Sequence, residues 1–176
     1  DVEELVASLQ AVVDKWSEES ALAMYVLKDE PHATFFKPLG LSRDLLARMD
    51  PGHISYVNLF PNYAPVNDEE NWLGALNYRA YVDQYMKEFR PEVLIYDHYC
   101  IEGYNFRKAD YAIRVRPGYF ENLEIIRAAA LEYQVPFWAF TLSTPVFSYP
   151  TPTEGHLRFQ LNSCLAYGAK GLQYFT

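Results

Sequence analysis

The run Met24-Tyr25-Val26-Leu27-Lys28-Asp29-Glu30-Pro31 constrains the fold more than any other part of the chain. A short apolar stretch rich in Val and Tyr reads as a buried strand. Pro31 has no N–H with which to continue a ladder, so Asp29 and Glu30 fall at the strand's C-terminal end. The same design recurs four more times. Ile54 to Leu59 runs out into Phe60-Pro61-Asn62-Tyr63, and Val93-Leu94-Ile95-Tyr96 delivers Asp97-His98-Tyr99. Pro136 to Leu142 leads to Ser143-Thr144-Pro145, and Gly171 to Phe175 is the last strand.

Helical periodicity fills the intervals. Leu5, Leu9, Val12, Val13 and Trp16 form one apolar stripe, and Leu45, Leu46 and Met49 another within a helix over 42–49. Helices are predicted over 69–89, ended by Pro91, over 120–133, and over 154–167, closed by Gly168. Alternating helices and wholly apolar strands call for a parallel sheet covered by helices, with right-handed crossovers. Loops after the strands are long and aromatic, whereas those entering them are tight, as at Asp50-Pro51-Gly52 and Arg90-Pro91. Such asymmetry separates a functional rim from a stability rim.

The expected architecture is therefore α/β: a (β/α)8 TIM barrel, with this chain covering roughly its C-terminal five βα units. Five strands are too few to close a barrel that typically needs roughly 250 residues. Residues 1–176 then form a single catalytic-type domain whose N-terminal units lie elsewhere. Those missing units, or a partner chain, are expected to cover the strand edges. The alternative is an open doubly wound sheet.

Composition narrows the chemistry. A formal net charge of −8 without a Lys/Arg cluster argues against nucleic acid and anionic membranes. No apolar stretch approaches the ~20 residues of a membrane helix. Cys100 and Cys164 are distant in sequence and read as ordinary buried thiols rather than a disulfide. Dinucleotide, P-loop and zinc signatures are missing, so no cofactor and no metal is expected. The 15 Tyr, 11 Phe and 3 Trp are more telling. Phe35, Phe36, Phe60, Tyr63, Tyr99, Tyr104, Phe106, Tyr119, Phe147 and Tyr149 fall in the loops rather than on helix faces. Rings beside carboxylates and Asn suit a carbohydrate, whose flat face stacks while its hydroxyls find polar partners.

The segments Tyr25 to Pro31, Tyr56 to Tyr63 and Tyr96-Asp97-His98-Tyr99 resemble TIM-barrel glycoside hydrolases. The likeness is to bacterial, often Bacteroides-type, barrels related to clan A and to beta-galactosidase-like enzymes. Pro136-Phe137-Trp138-Ala139-Phe140 and Ala166-Tyr167-Gly168-Ala169-Lys170-Gly171 extend it through the last two units. It implies hydrolysis of O-glycosyl bonds and a periplasmic or secreted location. In clan A the acid/base glutamate ends strand four, the position of Glu30. The clan's nucleophile, a glutamate ending strand seven, has no counterpart in Phe137 to Ser143.

Glycoside hydrolysis needs a protonated carboxyl to release the leaving oxygen and an ionised one facing the anomeric carbon or its water. Glu30 is the expected acid, as the last residue before Pro31. Asp29 alternates to the other side of the strand and is expected to hold nearby backbone or a neighbouring strand, the reverse assignment staying open. Asp97, flanked by His98 and Tyr99, is the expected partner, with Glu102 and Glu154 as reserves. Inverting and retaining spacings, roughly 6.5–9.5 Å and ~5–5.5 Å, both remain open. Asn58, Asn62, Tyr63, His98, Tyr99, Trp138, Ser143 and Tyr174 are the expected sugar contacts, although Asn58 also suits a packed strand and Trp138 a core. The competing reading is a non-catalytic carbohydrate-binding barrel. A Schiff-base lyase is disfavoured, because Lys28 inside the first strand is the lone strand-end lysine.

Overall fold

A computed structural model describes residues 2–67, 69–104, 112–146 and 149–175. The chain divides into two compact units, one of Asp1–Leu59 with Pro65–Val93, the other of Phe60–Ala64 with Leu94–Thr176. Among the described residues no helix is long and apolar enough to cross a membrane.

The first unit contains helix α1 (Val2–Trp16), strand β1 (Met24–Asp29), a single 3-10 turn (Ala33–Phe35), α2 (Phe36–Met49), β2 (Ile54–Leu59) and α3 (Tyr78–Glu88). Glu3 and Glu4 in the first turn of α1 and Lys15 in its last complement the helix dipole. Val13 of α1 packs with Tyr25 and Leu46, and Leu9, Leu22, Leu27 and Met49 close over them. A second group is aromatic: Phe36 meets Tyr81 and Tyr85 at ring-centroid distances of 5.0 and 5.2 Å, and Tyr85 stacks on Phe89 at 4.9 Å. The buried Tyr81 hydroxyl donates to the carbonyl of Pro31 at 2.7 Å, which satisfies its polar end.

The helix predicted over 69–89 begins only at Tyr78. Asparagines account for the difference, since their side chains compete with the helical ladder for backbone N–H groups. The Asn67 side chain accepts from the N–H groups of Glu69 and Glu70, and that of Asn71 from Gly74. Asn77 finally accepts from Ala80 at 2.9 Å and acts as the N-cap. The helix predicted over 42–49 instead starts at Phe36, because Pro38 is tolerated in a first turn, where no helical N–H bond is lost.

The second unit contains β3 (Leu94–Asp97), a hairpin of β4 (Ile101–Tyr104) and β5 (Ala112–Val115), α4 (Tyr119–Glu132), β6 (Phe137–Leu142), α5 (Glu154–Ala166) and β7 (Gly171–Phe175). β3, β6 and β7 pair in parallel, in the registers Ile95↔Trp138 and Trp138↔Gly171. Buried Gln160 of α5 serves both backbone groups of Leu142. Its Oε1 accepts from the amide at 3.0 Å and its Nε2 donates to the carbonyl at 3.1 Å. α4 and α5 end in the same way. Gln134 (φ 57) and Gly168 (φ 95) adopt the left-handed conformation, and the following amides of Val135 and Ala169 reach back to Ala130 and Cys164.

These observations correct the TIM-barrel expectation. The described parallel strands are two in the first unit (β1 with β2) and three in the second (β3, β6, β7), not eight. Barrel closure requires every strand to be bonded along both edges. Here β1 has β2 as its sheet neighbour and β7 has β6, each at the end of its strand order. The reading as the last five units of such a barrel goes with it. The β4–β5 pair is antiparallel, Ile101↔Val115 and Glu102↔Arg114, in the stretch after β3 where a long aromatic loop is expected.

At the start of β2, Asp50 ties three groups together. Tyr25 Oη donates to its Oδ2 at 2.7 Å, His53 Nδ1 lies 2.8 Å from the same oxygen, and the Gly52 amide donates to Oδ1 at 3.3 Å. The Tyr25 bond, with His53, holds the Asp50 carboxyl below its ordinary 3.8, while burial pushes the Tyr25 phenol up to about 12. A carboxyl depressed by folding stabilises above its unfolded pKa, and that contribution fades as pH falls through the folded value. Asp50→Asn is therefore expected to lower the urea midpoint at neutral pH and to converge with the parent protein in acid. A midpoint difference that persists unchanged in acid would contradict this.

Candidate functional site

Each unit carries polar residues at the C-terminal ends of its strands. In the first, Asp29 and Glu30 leave β1 beside Asn58 of β2. Asn58 is buried; its Nδ2 donates to Asp29 Oδ1 at 2.9 Å, and its carbonyl accepts from the Glu30 amide, also at 2.9 Å. Glu30 is half-buried, with φ 42. The described non-glycine residues in the left-handed region are Glu30, Arg90 and Gln134. Arg90 and Gln134 follow the C-caps of α3 and α4, where that conformation ends a helix. Glu30 caps nothing. An L-residue held there costs roughly 1–3 kcal/mol, and such strain gathers at functional positions.

In the second unit β3 delivers Asp97 and His98, both buried. Tyr63 meets the His98 ring edge-on at 4.9 Å and Tyr119 lies 5.2 Å from it on another side. Burial, aided by the positive charge of Arg116, pushes the imidazole down to about 3. His98 is thus a neutral imidazole near neutral pH rather than a proton carrier. The Arg116 guanidinium sits 4.2 Å from the Tyr63 ring centroid and 5.6 Å from that of Tyr149, a cation–π sandwich. Its Nη1 also approaches Glu102 at 3.2 Å, and Glu102 takes Arg114 Nε at 2.7 Å. The Tyr63 and Tyr149 hydroxyls are 3.0 Å apart; burial first, then that bond, holds the Tyr63 phenol well above its usual range.

The remaining expected contacts are spread more widely. Tyr99 packs on Tyr149 and Phe175 at 5.3 and 5.6 Å. Asn62 is committed to the start of α4: its amide donates to Asn122 Oδ1 at 2.7 Å and its Nδ2 to the Gly118 carbonyl at 3.0 Å. Ser143 Oγ donates to the Phe175 carbonyl at 2.9 Å, and Tyr174 stands exposed on β7. Trp138 is the second residue of β6, so it lies towards the N-terminal end of that strand, with its ring over Gly171. Phe106 and Phe147 lie outside the described residues. Glu102 is committed to Arg114 and Arg116, and Glu154 to Arg158 on the surface of α5 at 2.6 Å.

Glu30 and Asp97 thus belong to different compact units, and each is held by its own surroundings. Asp29, Glu30 and Asn58 form one group; Tyr63, His98 and Tyr99, linked through Tyr149, form another. Sequence reading missed Arg116 and the central place of Tyr149. The alternation Ile113-Arg114-Val115-Arg116 was a usable strand signal for the first; Tyr149 carries no comparable mark. Among the described residues, no group of three His, Cys, Asp or Glu is placed to hold a metal ion. No protein-family model matches the sequence, and no curated protein matches it.

Proposed function

We propose that this chain acts in the hydrolysis of glycosidic bonds of an oligosaccharide or polysaccharide, with Glu30 as the proton donor. The observation that carries this reading is the left-handed backbone of Glu30 at a strand tip, away from any helix end. Asparagine or glycine fills such a position at less cost, so a glutamate there points to a use for its carboxyl. The neighbouring acid, Asp29, is held on the Asn58 side chain in the extended strand, whereas Glu30 stands at the left-handed turn that follows it.

Aryl glycosides of graded leaving-group ability test the assignment. Glu30→Gln is expected to slow substrates with poor leaving groups by about 10²–10⁴-fold. Dinitrophenyl glycosides, whose leaving group needs no proton, should be affected far less. Equal rates for Glu30→Gln and the parent protein would overturn the assignment.

A second reading, a carbohydrate-binding protein without turnover, is favoured by one feature of the second unit. Asp97 and His98 are 5% and 3% exposed, and Tyr63, Tyr149 and Arg116 pack on one another. Sugar binding without hydrolysis of any aryl glycoside would support it.

A further inference from the structure

We infer that Asn58 is a positioning residue for Glu30, acting through Asp29, rather than a sugar contact; the catalytic part of this inference rests on the proton-donor reading of Glu30. β1 and β2 run in register through Met24↔Ile54, Tyr25↔Ser55 and Val26↔Tyr56, then resume at Lys28↔Val57 and Asp29↔Asn58. Leu27 is the additional residue of a β-bulge. In an unbroken ladder Lys28 would face Asn58. The extra residue instead brings Asp29 opposite Asn58 and reverses the side to which each later side chain points.

Asn58 then grips both acids at once. Its side chain holds the Asp29 carboxylate at 2.9 Å, and its main chain holds the Glu30 amide at 2.9 Å. Asn58 is itself 5% exposed, so it cannot swing away without breaking the end of β2. With Asp29 and the Glu30 amide both held on Asn58, the peptide plane that enters Glu30 is fixed, and the left-handed turn at Glu30 starts from that plane. The side-chain bond and the backbone turn are in this way one device that aims a single carboxyl group.

The test uses Asn58→Ala, Asp29→Ala, the double variant and Glu30→Gln in the full chain. Asp29 is exposed, so its variant is expected to fold even if loss of the buried Asn58 amide is not tolerated. Each single change should lower kcat on poor leaving groups by about 10–100-fold, with KM within about threefold and little effect on dinitrophenyl glycosides. The double variant should be no worse than either single one, since both remove the same bond. A protein in which Glu30→Gln loses activity while Asp29→Ala and Asn58→Ala keep theirs, or in which the two losses multiply, overturns the positioning role alone. Full activity in Glu30→Gln overturns the proton-donor reading instead. Amide hydrogen exchange at Glu30 decides the structural half without any turnover: Asp29→Ala should lower its protection about tenfold, and unchanged protection refutes the clamp.

Discussion

Glu30→Gly is expected to make the protein more stable while abolishing turnover. At φ 42 a glutamate pays roughly 1–2 kcal/mol that glycine does not. Glycine in turn loses about 0.5–1 kcal/mol through the greater freedom of its unfolded chain. The balance is a gain of about 0.5–1 kcal/mol, readable as a raised urea midpoint at unchanged slope. Gln134→Gly is the matched control, because Gln134 has φ 57 at the end of α4 and no chemical role is expected of it. It should gain a similar amount with activity intact. Arg90 is a poorer control, since its guanidinium bonds Asp44 at 2.6 Å and its carbonyl accepts from Arg43. A loss of stability in Glu30→Gly beside a gain in Gln134→Gly would mean that the glutamate side chain supports the fold, and the functional meaning of its backbone would fall.

Three of the parallel strands were legible as apolar runs with a proline close behind: Pro31 after β1, Pro61 after β2 and Pro145 after β6. The helices were legible by period, except where asparagines at 67, 71 and 77 took up backbone donors and delayed α3. The architecture was not legible in the same way. Local pattern tells strand from helix, but nothing in it counts the neighbours of β1 or β7, so the alternation that suggests a barrel suits strands with free ends to their order equally well. At the site, Pro31 marked Glu30 as a strand tip. The clamp by Asn58 was hidden, because it depends on one extra residue, Leu27, inside a run whose apolar character conceals the register shift. The Asp97–His98 pair was visible as polar residues after a strand; the packing of His98 against Tyr63 and Tyr119 depends on rings far away in sequence.

Gly40→Ala is expected to destabilise the protein by about 2 kcal/mol, against the sign that helix propensity gives. Within a helix, alanine is better than glycine by about 1 kcal/mol, so an uncrowded site would gain. Gly40, however, lies where α2 meets α3. A methyl group there would stand 2.6 Å from the Glu88 carbonyl oxygen and 3.4 Å from Phe89 Cα. Both obstacles are backbone, so the helices must separate, and overpacking of this kind costs typically 1–3 kcal/mol or somewhat more. With a clash near the upper end, about 3 kcal/mol, the net loss is about 2. Gly171 is the informative contrast. Its added methyl would fall 2.4 Å from the Trp138 ring, an obstacle that belongs to a side chain and not to backbone. The cost of Gly171→Ala should therefore shrink in a Trp138→Leu background, because there the two changes share one contact. No single side-chain truncation offers Gly40→Ala the same relief. A Gly40→Ala protein as stable as its parent would mean that α2 and α3 stand farther apart than this close approach requires.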